Sequence, residues 1–296
     1  MTEKNTRNKM SKFNFKNIKS WSLIVLILIN LIIFYAVFTE DRGEKLKVTF
    51  LDVGQGDAAL IESPDGNQVL IDSGPDKNII NALNRVMPFY DKSIDAVIAT
   101  HPDQDHIGGL PEVFKNYSVG EYFNNGMTSD TGTFKEITQE IKDKNIKSEI
   151  LREGETIDFG DGTYLKILYP NRKPSGTDTN EYSIVAKLYY GDSSFMFTGD
   201  APTDVLNLLA VNDGVDLKSD VLKVAHHGSK NSLSPAFFSA VLPEYSIISA
   251  GLNNRYGHPH KEIIDALNDI KTDILRTYEI GDITFVSDGE NLTKSF

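Results

Sequence analysis

All six histidines of the chain fall into three short clusters: His101 and His106 in THPDQDH, His226 and His227 in AHHGS, and His258 and His260 in YGHPH. Histidines placed for surface or core reasons alone would scatter. Each cluster sits beside Gly, Pro or Asp, and two follow strand-like apolar runs. They read as residues gathered around one metal-dependent site. The first cluster is the densest. His101, Asp103, Asp105 and His106 are four ligand-type side chains within six residues, and Pro102 stiffens the turn that carries them. A solvated acidic turn with two incidental histidines would explain that stretch alone. The chain has no cysteine, which excludes disulfides, thiolate zinc sites and a Cys nucleophile. Any metal must be held by His, Asp, Glu, Asn or water. No G-x-S-x-G occurs, and the Gly-rich DVGQGD turn lacks the Lys and the spacing of a P-loop.

Such a site needs strand ends to hold it. From about Leu46 the chain alternates strand-like and helix-like stretches. LKVTFLDVG, AALIES and QVLIDSG read as strands broken by Gly- and Pro-containing turns. Asn78–Phe89 is helix-like, and Ala96–Thr100 is a short buried strand that ends at the first His cluster. Thr133–Asn145 is an amphipathic helix. Tyr164–Tyr169, Tyr182–Tyr190 and Ser194–Thr198 read as strands, and Val205–Val211 as part of a helix. Val221–Ala225 is a strand that ends at the second His cluster. Pro235–Leu242, Tyr245–Ala250 and Lys261–Asp269 then repeat helix, strand, helix. ILRTYEIGDITFVSDG reads as a terminal hairpin. Residues 46–296 are thus expected to form one α/β domain of mixed sheets covered by helices.

Ser22–Phe38 is uncharged, with only Ser22 and Asn30 polar, and is about long enough to cross a bilayer as a helix. Residues 1–20 carry six basic residues and one acid. The positive-inside rule therefore expects a basic cytoplasmic tail over 1–20, a membrane anchor over 21–39 and an extracellular-facing body in a bacterial cell. A cleaved signal peptide would have a shorter core and an A-x-A-like site, and AVFTEDRG offers none. The formal charge is −12; residues 41–296 hold 24 bases against 40 acids, a net of −16. Such a body is a poor match for tight nucleic-acid binding, although bound cations would soften its sign locally. No obligate protein partner is evident.

Five segments in order, FLDVGQGDAALIE, THPDQDHIGGL, FMFTGDA, LKVAHHGSKNS and YGHPH, resemble the metallo-β-lactamase fold superfamily. Within it they are most similar to the ComEC-type branch, which includes the soluble hydrolase domain of the bacterial DNA-uptake channel protein. The bacterial phosphorylcholine esterases are also similar. The resemblance covers Leu46 to about Phe285 and implies an αββα sandwich. It further implies that His101, Asp103 and Asp200 hold one divalent metal ion. Asp105, His106, Asp200 and His227 would hold a second, with Asp200 bridging. Asp72 in LIDSG matches the first-motif aspartate and could orient a ligand by a hydrogen bond. His226 would face the substrate, and His258 would be the late-motif His that acts as a transition-state ligand or proton donor. Asp105, His226 and His258 are the catalytic candidates. Arg255 could clamp an anion, although an exposed loop arginine fits equally. Ser229 is a further substrate-binding candidate, Asp57 could orient the metal loop, and His260 reads as incidental.

The chain departs from the superfamily's zinc pattern twice. Asp103 stands where the H-x-H-x-D-H motif has its second His. Asn180, a second-shell or ligand candidate, stands near where another His is usual. Both departures put oxygen in place of imidazole, which favours Mn²⁺ over Zn²⁺, with Zn²⁺ still able to bind. Two cations activating one water would suit hydrolysis of a phosphodiester. The expected function is therefore a membrane-anchored phosphodiesterase or nuclease, with DNA a candidate substrate. Alternatives are a phosphorylcholine-type esterase on surface polymers, a lactamase- or lactone-type hydrolase, and a catalytically weak binding module.

Overall fold

The computed structural model describes residues 15–38, 45–212 and 216–295. Chain contacts divide it into two units, residues 1–43 and 44–296. In the first unit, Phe15–Phe38 form helix α1, and side chains 21–34 are all exposed. Among the described residues no helix is long and apolar enough to cross a membrane, so the span expected over 21–39 is not supported by them. Most of the basic tail, residues 1–14, lies outside the described residues.

The second unit holds two sheets among the described residues. The first half of the chain supplies β1 (Leu46–Phe50), β2 (Ala59–Glu62), β3 (Gln68–Ile71), helix α2 (Asn78–Val86) and β4 (Ser93–Ala99). It continues with α3 (Gln104–Ile107), α4 (Leu110–Asn116), β5 (Ser118–Asn124), α5 (Gly132–Asp143) and β6 (Lys147–Ile150). The second half supplies β7 (Thr156–Asp158), β8 (Tyr164–Tyr169), β9 (Val185–Tyr190), β10 (Ser193–Phe197), α6 (Thr203–Ala210) and β11 (Val221–Lys223). Then come α7 (Pro235–Val241), β12 (Tyr245–Ile248), α8 (Lys261–Asp269), β13 (Asp273–Arg276), α9 (Thr277–Ile280), β14 (Ile283–Ser287) and β15 (Leu292–Ser295). One sheet runs β15-β14-β1-β2-β3-β4-β5-β6 and the other β13-β12-β11-β10-β9-β8-β7. Both are mixed: β3 to β6 run parallel, as do β10 to β13, and the other pairs are antiparallel.

The period-two side-chain alternation of strands explains the layering. Along β2 and β3, Ala59, Ile61, Val69 and Ile71 join the core between the sheets, where Phe50, Phe197 and Phe285 also pack. Leu60 and Leu70 point the other way, into a second core with Ile79 and Leu83 of α2 and Val113 and Phe114 of α4. Met196 and Leu222 of the other sheet pack with Leu206 of α6, Phe237 of α7 and Ile263 of α8 in a third. Helices thus cover the outer face of each sheet, as an αββα sandwich requires.

Three expectations change. Asp273–Arg276 and Ile283–Ser287 do not pair as a hairpin; β13 extends the second sheet and β14 lies beside β1 in the first. The helical turn α9 and Gly281, at φ 88°, carry the chain from one sheet to the other, and the hairpin is instead β14–β15. Tyr182 closes a 3₁₀ turn, Asn180–Tyr182, and β9 starts only at Val185, three residues after the expected strand start. β11 ends at Lys223, two residues short of the expected strand end.

Candidate metal centre

Four strand ends meet at the histidine clusters. β4 delivers Thr100 and His101, and Asp105 and His106 follow on α3. β3 delivers Asp72, β10 delivers Gly199 and Asp200, and β11 delivers His226 and His227. The turns are tight. Asp72, His226 and His227 hold positive φ values of 58°, 51° and 54°, a conformation that costs roughly 1–3 kcal/mol per non-Gly residue and persists only where the surroundings enforce it. Gly199, at φ 48°, leaves room where a Cβ would come within 3.2 Å of Thr100 and Ser183.

Asp72 organises the first pair of arms. It accepts hydrogen bonds from Thr100 N at 2.8 Å and Thr100 Oγ1 at 2.7 Å, and its Oδ2 lies 2.7 Å from His106 Nδ1. That contact directs His106 Nε2 toward Asp200 Oδ1, 3.1 Å away. His101 Nδ1 lies 3.1 Å from Thr100 Oγ1, and its Nε2 lies 3.9 Å from Asp200 Oδ2. On the other side, His227 Nδ1 lies 2.9 Å from Ser249 O, with Nε2 3.3 Å from Asp105 Oδ2 and 3.8 Å from Asp200 Oδ1. The Asp200 carboxylate therefore faces all three imidazoles.

The Nε2 atoms of His101, His106 and His227 and Oδ1 of Asp200 are buried without a hydrogen-bond partner. Leaving such groups unpaired is costly, and a divalent cation would satisfy them together. The ligand atoms of His101, His106 and Asp200 lie within 4.8 Å of one another, as do those of Asp105, His106 and His227. The residues present therefore fit a bound divalent cation.

The electrostatics support the same reading. Burial alone would lower His227, but the carboxylates of Asp200 and Asp57 override it and hold the imidazole at about 9. Burial likewise opposes His106, and Asp200 and Asp72 raise it well above its ordinary value. Burial would raise Asp200, yet His106 and His227 hold it well below the carboxylate range. Asp105 is lowered too, against burial, by His227 and His106. His101, by contrast, is lowered by burial and by His106. The carboxylates demand positive charge, and protonated imidazoles supply it where a metal would.

The remaining sequence candidates divide. Asp103 Oδ2 stands 3.8 Å from His101 Nε2, but its side chain is 39% exposed. Its Oδ1 accepts the Thr179 hydroxyl at 2.6 Å. Asn180, next to Thr179, has its Oδ1 buried and unpartnered. His226 Nε2 is 3.6 Å from Asp200 Oδ2. His258 is half-buried, with its ring 5.7 Å from that of His226 and 6.2 Å from that of His227. Burial, His227 and His226 push it down to about 4, which favours the neutral imidazole. Arg255 is exposed, and its Nη2 donates to Tyr256 OH at 2.5 Å. Ser229 is buried, and its hydroxyl accepts from Asn231 N at 3.3 Å as the cap of the turn Lys230–Ser232. His260 Nδ1 accepts from Lys230 N at 3.2 Å.

Sequence reasoning missed Thr100, Ser249 O and Lys223. Lys223 was legible as a lone charge in the apolar strand run VLKVA. The other two act through a hydroxyl and a backbone carbonyl, which carry no signal of their own.

The Metallo-beta-lactamase superfamily family matches residues 51–251. ComE operon protein 3 of Bacillus subtilis (strain 168) is 31% identical over 268 residues, which cover 83% of this chain and 33% of that protein. Competence protein ComA of Neisseria gonorrhoeae is 28% identical, over 90% of this chain and 36% of that protein. The chain thus spans about a third of the length of these curated relatives. Among solved structures, the metallo-beta-lactamase fold protein YhfI of Bacillus subtilis superposes with a TM-score of 0.55 at 12% identity, over 82% of this chain and 100% of that one. With its four strand ends converging on His101, His106, Asp200 and His227, the chain belongs to the metallo-beta-lactamase superfamily.

Proposed function

We propose that the chain is a metal-dependent phosphodiesterase acting on DNA or a related phosphodiester, with a dinuclear site that works best with Mn²⁺. One observation carries the hydrolase reading: four ligand atoms, on His101, His106, His227 and Asp200, are buried and face one another without a hydrogen bond to satisfy them. Bound divalent cations there would supply Lewis acidity and activation of water. The chain's own residues do the rest. Asp200 faces both sides of the site, Asp105 and His227 close one flank, and His101 with Asp103 closes the other. His258 stays neutral at pH 7 and can donate an N–H hydrogen bond to a phosphate oxygen. Arg255 supplies an exposed cation on the same loop.

The oxygen groups of Asp103 and Asn180 favour Mn²⁺. The similarity to a protein named competence protein favours a nucleic-acid substrate, and the acidic body argues for modest affinity. A phosphorylcholine-type esterase is the second reading, favoured by that same acidic body, which suits a small substrate. Attachment to a membrane rests on the uncharged run Ser22–Phe38 behind a basic stretch.

The test uses the full chain, chelated and reloaded with Mn²⁺ or Zn²⁺. Substrates are single-stranded DNA, bis-p-nitrophenyl phosphate and p-nitrophenyl-phosphorylcholine. DNA cleavage with Mn²⁺ that disappears in Asp105→Ala is the expected result. Turnover of the small esters alone would assign the esterase instead. No turnover with any metal would leave a binding module.

A further inference from the structure

We propose that Lys223 is a positioning residue of the metal site, acting through Asp57 to hold His227 in place. The inference rests on the reading that the site binds divalent cations. Lys223 is the last residue of β11, and its side chain is 5% exposed. Its Nζ donates to Asp57 Oδ2 at 2.6 Å and to Val224 O at 3.1 Å. The other Asp57 oxygen lies 3.0 Å from His227 Nδ1. Among the described residues only Ser249 O meets hydrogen-bond geometry at that nitrogen, so Ser249 O orients the ring and Asp57 backs it with charge. A line of contacts then runs from Lys223 through Asp57 and His227 to Asp105.

Asp57 also clamps the ligand loop through its backbone. Its N–H donates to Asp105 O at 3.1 Å, and its carbonyl accepts from Gly74 N at 2.7 Å. A Cβ on the preceding Gly56 would fall 2.3 Å from Asp105 O, so the GQGD turn is pressed against the loop that carries Asp105. One residue therefore touches a ligand on each of two loops. Lys223 is what permits its charge to be buried there.

A buried Lys–Asp pair that only satisfied itself would be the plain alternative, since such pairs contribute little net stability. The position of Asp57 argues for more. Its carboxylate lies within 4.8 Å of ligand atoms of Asp200 and His227, and also of Asp72 and His106. Without a counter-charge, Asp57 is itself a potential metal ligand. The Lys223 ammonium engages it from behind and keeps it a support of His227. Lys223 and Asp57 line the same small cavity as Asp72 and Thr100, the support of His106.

Metal binding, not activity, is the readout, by Mn²⁺ titration calorimetry and metal content of the full chain. Lys223→Met is expected to weaken Mn²⁺ binding about 10- to 100-fold, the usual cost of losing an outer support of a ligand. Asp57→Asn, which keeps the shape, should do the same. The double variant D57N/K223M removes both charges; it should melt near wild type yet still bind weakly. Wild-type affinity and stoichiometry in folded Lys223→Met, or full recovery of affinity in the double variant, overturns the proposal. If Lys223→Met does not fold, undiminished binding by Asp57→Asn overturns it equally. A wild-type chain that binds no divalent cation would instead defeat the metal reading on which the proposal stands.

Discussion

The two flanks of the candidate centre are built differently. On one, His106 and His227 are fully buried and each has a backing partner: Asp72 with Thr100 behind His106, and Ser249 O with Asp57 behind His227. On the other, His101 leans on a hydroxyl, and Asp103 is partly exposed and spends an oxygen on Thr179. A backed ligand is held for the metal before it arrives; an unbacked one must be ordered by it. The His106–His227 flank is thus the better supported half, and the His101–Asp103 flank is the one at which a metal preference can be tested.

Asp200 is common to both flanks, so its loss should erase the difference between them. Asp200→Ala is expected to abolish metal binding on both flanks and to lower turnover by at least about 10³-fold. Metal content and turnover of the purified variant check this, and retention of one full metal equivalent would contradict it. The backed flank should respond next. Asp72→Asn tolerates the positive φ of that position but replaces the carboxylate that faces His106. Mn²⁺ affinity should fall about 10- to 100-fold, read by calorimetry, with little change in fold.

The metal-free protein should reveal the same flank through pH. His227 is held at about 9 against its ordinary 6.5, so its ion pairs stabilise fully below about 6.5, and that stabilisation is lost as pH rises through about 9. Thermal melting of the chelated chain should fall over this window, whereas the Mn²⁺-loaded chain should hold, because the cation replaces the protons. A chelated chain with flat melting from pH 6.5 to 9 would break the prediction.

The His101–Asp103 flank should respond in preference rather than strength. Asp103→His should shift the ratio of Zn²⁺ to Mn²⁺ affinity toward Zn²⁺, with the His106–His227 flank unchanged. Competition titration of the two ions measures it, and an unaltered ratio would show that Asp103 does not face a metal. The smallest effect is expected at Arg255. Arg255→Ala should raise KM a few-fold and leave kcat unchanged, since the side chain is exposed and a surface cation contributes about 0–1 kcal/mol.

Chain order and residue type made much of this legible. The clusters holding His101, Asp105, His106 and His227 were readable because ligand-type residues recur at the ends of apolar runs, whereas Asp200 was marked only by the resemblance of FMFTGDA to the superfamily's motif. Strand order within a sheet was not. Asp273–Arg276 and Ile283–Ser287 share one alternating pattern, and nothing local says that they belong to different sheets. The cap that Ser229 makes to Asn231 N was likewise not legible, because it depends on the turn that follows.

The sequence alone held the inventory: no thiol, six clustered histidines, and oxygen groups at Asp103 and Asn180. These are facts of residue type and spacing, which no fold can alter. Tertiary structure decided which of those groups are backed and which are not. That outcome depends on long-range partners, such as Lys223 reaching Asp57 across 166 residues. Their approach is set by how two sheets pack, a packing that period-two patterns permit in several arrangements and that only the closed core selects.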